Sequence, residues 1–127
     1  MQNQEVGRLG EQAAQKYLED KKYNTIEINY RQVWGELDLV MKSPEGVLVF
    51  VEVKTLLSNN RDKIKPEDNM TSAKIGKLKR AANFYALKNS ALIDENLGWR
   101  IDVVAIEIPN EEIYHQEKFM IRHYENI

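Results

Sequence analysis

The chain has 127 residues, of which 43% are apolar, no cysteine and a formal net charge of -2. This length predicts one domain, residues 1–127, and the composition excludes disulfides, thiolate zinc sites and cysteine nucleophiles. Because no apolar run approaches the roughly 20 residues of a transmembrane helix, we expect a cytoplasmic protein that does not bind membranes.

The first half of the chain predicts a helix followed by three strands. Residues 4–20 carry apolar side chains at helical spacing, which predicts an amphipathic helix. Residues 26–30 alternate apolar and polar side chains, which predicts a strand. Residues 35–43 and 47–56 predict a β-hairpin closed by Pro44-Glu45-Gly46, with Gly46 in the left-handed conformation that ends a three-residue loop.

The second half predicts a helix and two more strands. Residues 57–69 are polar and contain Pro66, so we expect a mobile loop there. A helix is predicted over residues 71–88, and strands are predicted over residues 99–108 and 118–124. The order of elements favours an α/β fold with a central mixed sheet flanked by helices.

The hairpin loop sets a register that brings charged residues together. A three-residue loop pairs Val40 with Phe50, Asp38 with Glu52 and Glu36 with Lys54. Side-chain alternation then places these four charged residues on one face. The opposite, apolar face consists of Leu37, Leu39, Met41, Val47, Val49, Val51 and Val53.

Two opposed carboxylates predict a cation site. Directly paired strand residues have Cβ atoms about 4.5–5.5 Å apart, so Asp38 and Glu52 repel each other unless a positive charge lies between them. Hard divalent ions such as Mg²⁺ or Mn²⁺ prefer oxygen ligands, and the carbonyl of Val53 offers a third one. The residue pattern therefore predicts a divalent-metal site on this hairpin.

The same face offers the groups of a phosphodiester-cleaving site. Lys54 emerges beside Glu52, where its ammonium can stabilise charge on a phosphate or orient water. Glu36 or Glu11 can serve as an outer-sphere base or an extra ligand. The alternative is a solvated charged face, but the run from Val47 to Val53 is apolar on both faces except at Glu52, which is typical of a central strand.

Basic residues give a candidate nucleic-acid surface. Lys74, Lys77 and Arg80 fall near one face of the second helix and can contact phosphates, although solvated helix lysines are the commoner explanation. Arg100 either faces the site or forms an ion pair with Asp102. Trp34 can stack on a base, or it can anchor the start of a strand. We assign no functional role to His115 or His123.

Five sequence blocks together resemble a known family. GELDLV at 35–40 and LVFVEVKT at 48–55 resemble the two-part motif of the PD-(D/E)XK nuclease superfamily. With GRLGEQAAQKYL at 7–18, Lys74 and its helix, and WRIDVVAI at 99–106, they resemble the YraN-like family of uncharacterised bacterial proteins. The resemblance covers nearly the whole chain. It departs at Leu56, where such proteins usually carry an arginine, which puts one phosphate contact in doubt.

The resemblance implies a restriction endonuclease-like fold similar to that of archaeal Holliday-junction resolvases. Asp38 and Glu52 would be metal ligands, Lys54 the catalytic lysine and Glu11 the glutamate of the first helix near the metal. The main hypothesis is a Mg²⁺- or Mn²⁺-dependent nuclease that cleaves DNA, including branched DNA, and that would act as a homodimer on a four-way junction. The alternative is a nucleic-acid-binding or protein-interaction module of the same fold with little or no catalysis; RNA as the substrate stays open.

Overall fold

The computed structural model describes residues 3–58 and 65–127. Two helices and five strands make up its architecture, together with short 3-10 turns. In chain order they are α1 (Asn3–Asp20), β1 (Asn24–Gln32), β2 (Gly35–Lys42), β3 (Leu48–Ser58), α2 (Ser72–Lys88), β4 (Trp99–Pro109) and β5 (Met120–Tyr124).

One mixed sheet orders the strands as they occur in the chain, from β1 to β5. Strands β3 and β4 are parallel, whereas the other three neighbouring pairs are antiparallel. The predicted α/β fold with a mixed sheet flanked by helices is confirmed, and the arrangement is consistent with the restriction endonuclease-like fold.

Each helix buries one face of the sheet. Residues at alternate positions of β3, Val49 and Val51, pack with Leu18 of α1. Phe50 between them points the other way and packs with Tyr85 of α2. The first half of strand β3 is therefore buried on both faces, as the apolar run predicted, and its charged residues, Glu52 and Lys54, follow in the middle of the strand.

The hairpin between β2 and β3 has the predicted turn. Gly46 has a φ of 96°, and its N–H donates to Ser43 O at 2.9 Å. The predicted pair Val40↔Phe50 is present. The ladder, however, ends at Leu39↔Val51, so the two pairs expected beyond it are not part of the sheet register.

The prediction for Leu37 was wrong. Leu37 packs in the cluster under α2, not with Leu39 on the face of α1. The start of β2 lies against that helix: a Cβ added to Gly35 would be 2.8 Å from Ala81 Cβ. Only glycine permits this approach of β2 to α2, and in the same region, near Asp38, β2 separates from β3.

Several element ends also differ from the predictions. Strand β3 continues to Ser58, and Pro66–Asn69 forms a 3-10 turn, which accounts for part of the expected loop. The rest of that loop, residues 59–64, lies outside the described residues. Strand β5 starts at Met120 because Gln116–Lys118 form another 3-10 turn. Among the described residues, no helix combines the length and apolarity needed to cross a membrane.

Candidate functional site

Asp38 lies at the point where β2 and β3 separate. Its Oδ2 accepts a hydrogen bond from the backbone N–H of Val53 at 2.9 Å. The carboxylate thus replaces the backbone acceptor that the neighbouring strand would have supplied. In an antiparallel ladder the N–H and C=O of a hydrogen-bonded residue point to the same side, so the carbonyl of Val53 is directed into the same gap.

Glu52 shares this gap with Asp38. The side chain of Glu52 is 21% exposed and is hydrogen-bonded to Asp38. Burial, followed by the hydrogen bond and negative charge of Asp38, raises the pKa of Glu52 to about 9, although Lys54 opposes the shift. In the absence of a cation, the carboxyl group of Glu52 therefore keeps its proton at neutral pH.

Lys54 lies beside this pair. Its Nζ is 3.6 Å from Glu52 Oε2, and its side chain is 24% exposed. A partly exposed contact of this length contributes little to stability. Its relevance is positional, because it holds an ammonium group next to the carboxylates and within reach of solvent.

Helix α1 brings Glu11 towards Asp38. A Cβ on Gly10 would overlap the side chain of Thr55 on β3, so glycine allows the helix to lie directly on the strand. Burial and then the charge of Asp38 raise the pKa of Glu11, whereas a hydrogen bond to Asn29 and the charge of Arg31 lower it. Gly10 lies within α1 and is not part of a phosphate-binding loop, as expected.

A cleft of about 480 Å³ opens between the β1–β2 turn and α2. Glu52 and the exposed Glu36 line it on the sheet side, and Lys74 and Lys77 line it on the helix side. The two predicted phosphate-binding lysines therefore share a cavity with a predicted metal ligand. Arg80 is exposed but is not among the residues that line this cleft.

Comparison with known proteins identifies the family. Residues 10–106 match the model of the family described as Uncharacterised protein family UPF0102. The chain belongs to this family. A UPF0102 protein of Syntrophomonas wolfei is 37% identical over 113 residues, which cover 89% of this chain and 95% of the relative. One of Desulforamulus reducens is 34% identical over 126 residues, or 99% of this chain and 97% of the relative. The resemblance to YraN-like proteins is confirmed.

Arg100 does not reach the cleft of this UPF0102 member. Its guanidinium donates to Asp102 at 3.0 and 3.3 Å and to the hydroxyl of Tyr23 at 2.9 Å. Arg100 and Asp102 alternate with Ile101, which packs under α2, so they face α1, on the opposite side from the cleft. The structure therefore contains the ion pair that was weighed against phosphate binding, and Arg100 lies apart from Lys74 and Lys77.

His123 was missed as a partner of Asp102. Its Nε2 lies 2.8 Å from Asp102 Oδ2, and the backbone N–H of Asn126 donates to Oδ1 at 2.9 Å. Burial raises the pKa of Asp102, but the bonds from His123 and Arg100 outweigh it and leave the pKa below its usual value. No local signal pointed to this cluster, because β4 and β5 bring together residues that are distant in sequence.

Asp102, His123 and Glu125 also offer ligand atoms that lie within 4.8 Å of one another. In the parts of the chain that the structure describes, no other three acidic or histidine side chains are gathered so closely. Glu11, Asp38 and Glu52 therefore form a wider group. Asp102 is already paired with the positive charge of Arg100. The cluster of Asp102, His123 and Glu125 is therefore a poor match for a metal ion.

A second network that sequence reasoning missed joins the Pro66–Asn69 turn to the sheet. Arg122 on β5 bonds Glu67 at 2.6 and 2.8 Å and Glu107 at 2.6 Å. Chiefly because of the Arg122 bonds, the pKa of Glu67 is lowered to about 2. This network holds the segment that leads into α2, the helix that carries Lys74 and Lys77.

Proposed function

We propose that this UPF0102 member is a divalent-metal-dependent nuclease that hydrolyses phosphodiester bonds of DNA. The observation that carries the proposal is the contact between the carboxyl groups of Asp38 and Glu52, in a partly buried gap beside Val53 and Lys54. A partly buried acid whose pKa is raised by a neighbouring carboxylate is typical of functional sites.

The donor set fits a hard divalent cation. Two carboxylates and a backbone carbonyl are the oxygen ligands that Mg²⁺ and Mn²⁺ prefer. Asp38, Glu52 and the carbonyl of Val53 would hold the ion, with Glu11 or Glu36 as outer ligands. The raised pKa of Glu52 supports this assignment, because a cation can replace the proton that Glu52 otherwise keeps. When bound, such an ion acts as a Lewis acid towards a phosphoryl oxygen and acidifies water.

The chain's own residues would orient the substrate and balance its charge. Lys54 would place its ammonium against the reacting phosphate and stabilise the negative charge that grows there. Lys74 and Lys77 would bind flanking phosphates from the helix side of the cleft. Arg80, which is exposed next to this cleft, would contribute only through long-range attraction.

A cleavage assay tests this proposal. Linear duplex, single-stranded, flapped and four-way DNAs would be incubated with Mg²⁺ or Mn²⁺. Asp38→Asn keeps an oxygen that can accept from Val53 N–H but removes the charge, so we expect it to lose cleavage while it stays folded. Asp20→Asn, at the exposed end of α1, is the matched control. Equal cleavage by Asp38→Asn and wild type would refute the proposal.

The alternative is a DNA-binding module without catalysis. The observation in its favour is that Lys74 and Lys77 form a cationic wall that needs no metal to attract phosphate. It requires salt-sensitive DNA binding that Glu52→Gln leaves unchanged, together with no cleavage of any of the four DNAs. Loss of cleavage in Glu52→Gln from an active wild type would exclude it.

A further inference from the structure

An apolar surface borders the cleft. Val33, at the tip of the β1–β2 turn, is fully exposed, and Leu87 and Phe84 on α2 are 71% and 47% exposed. Trp34 links the turn to the helix, because its ring centroid lies 5.4 Å from that of Phe84. We call Val33, Trp34, Phe84 and Leu87 the apolar rim.

The apolar rim is continuous with the cleft. Val33 and Trp34 line the same cavity as Glu52 and Lys77. The turn that carries them is fixed, because the neighbouring Gly35 lies directly against Ala81 of α2. A molecule in the cleft would therefore contact an apolar surface, a cationic wall and the carboxylates at the same time.

We infer that the cleft receives an unpaired nucleotide, whose base lies against Trp34 and Val33 while its phosphate lies between the lysines and Glu52. The substrate class is then DNA with a single-stranded segment at the cleavage site, such as a single strand or a flap, and not continuous duplex. This inference deepens the proposed function and rests on it for the cleavage step alone.

The chemistry of the surface distinguishes the two kinds of DNA. A continuous duplex presents phosphates and sugars outwards and keeps its bases stacked inside, so cations bind it without apolar side chains. An unpaired base exposes an apolar π face, which aromatic side chains and nearby cations bind with little regard to sequence. Trp34 supplies such an aromatic side chain, and Lys88 supplies the nearby cation, because its Nζ lies 5.8 Å from the Trp34 ring centroid.

Binding without cleavage tests the inference directly. Fluorescein-labelled single-stranded, flapped and fully duplex DNAs would be titrated with the protein in EDTA and, separately, in Ca²⁺, with anisotropy as the readout. We expect the single-stranded and flapped DNAs to bind more tightly than duplex. Trp34→Leu should weaken single-strand binding by between about fivefold and a hundredfold, and Val33→Ser by about tenfold.

The controls separate recognition from folding. Val33 is fully exposed, so Val33→Ser should leave the circular dichroism spectrum and thermal midpoint unchanged. Tyr114→Ser removes an 85% exposed aromatic side chain from the connection between β4 and β5 and should not alter binding. Trp34 and Trp99 are the two tryptophans of the chain. Single-stranded DNA should therefore quench emission in wild type and not in Trp34→Phe.

The outcomes distinguish this inference from the proposed function. Duplex bound as tightly as single strands, with Val33→Ser and Trp34→Leu unchanged, would overturn the inference even if the protein cleaves DNA. Binding of no DNA would also overturn it and would assign the apolar rim to another kind of partner. Single-strand binding that depends on Trp34 supports it even if no DNA is cleaved, an outcome that would refute the nuclease proposal alone.

Discussion

Replacing Glu52 by glutamine should stabilise the metal-free protein. The folded state holds the pKa of Glu52 at about 9, against an ordinary value of 4.5. At neutral pH the unfolded chain therefore releases a proton that the folded chain retains, and folding costs free energy. Neutral pH is roughly 2.5 units above the ordinary value, which corresponds to on the order of 3 kcal/mol.

Glutamine removes this cost because it is uncharged in both states and its amide can still donate to Asp38. The destabilisation by Glu52 is absent below about pH 4.5, grows as the pH rises and levels off above about pH 9. The advantage of Glu52→Gln should therefore be near zero at about pH 4.5, on the order of 3 kcal/mol at neutral pH, and largest in mild alkali.

Urea denaturation in EDTA, followed by circular dichroism across this pH range, measures the difference. Glu45→Gln in the exposed hairpin turn is the matched control and should show no such trend. Mn²⁺ at a hundredfold excess over its dissociation constant should stabilise wild type by about 2.7 kcal/mol and leave Glu52→Gln unchanged. A stability difference independent of pH, or equal stabilisation of both proteins by Mn²⁺, would refute the reasoning.

Three further predictions concern the surroundings of the site. Lys54→Ala should abolish cleavage but keep Mn²⁺ binding, as measured by isothermal titration calorimetry; loss of both would make Lys54 a structural residue. Arg122→Gln should lower the free energy of unfolding by about 2 kcal/mol at neutral pH. Because the pKa of Glu67 is held at about 2 instead of 4.5, that loss should shrink as the pH falls from 4.5 towards 2, and a constant loss in urea denaturation would contradict it. Asp102→Asn should lower the free energy of unfolding by about 3 kcal/mol without changing the affinity for Mn²⁺. A weakened affinity would indicate that Asp102 is a metal ligand.

Local sequence rules predicted the hairpin well because its geometry depends on neighbours in the chain. The length of the Pro44-Glu45-Gly46 loop determines which residues face each other, so Val40↔Phe50 followed from counting. The apolar run in β3 identified a strand buried on both faces. The same rules placed Asp38 and Glu52 together, and they do meet.

Local sequence rules did not predict how Asp38 and Glu52 come together. Counting continued the ladder to Asp38 and Glu36, whereas the pairing of β2 with β3 begins only at Leu39, and Gly35 at the start of β2 lies close to Ala81 of α2. That separation frees the N–H of Val53, which then bonds the Asp38 carboxylate. A contact between residues 46 positions apart in the chain leaves no trace in the local pattern of either segment.

The sequence by itself determined the helices, the strands, the hairpin register and the identity of the charged residues, because these depend on side-chain periodicity and loop length. Only the tertiary structure decided which charges share a cavity. The packing of α1 and α2 on opposite faces brings Glu11 near Asp38, sets Lys74 and Lys77 across from Glu52, and turns Arg100 towards His123 and Asp102 on the other face. Long-range packing fixes these distances, and side-chain chemistry alone does not.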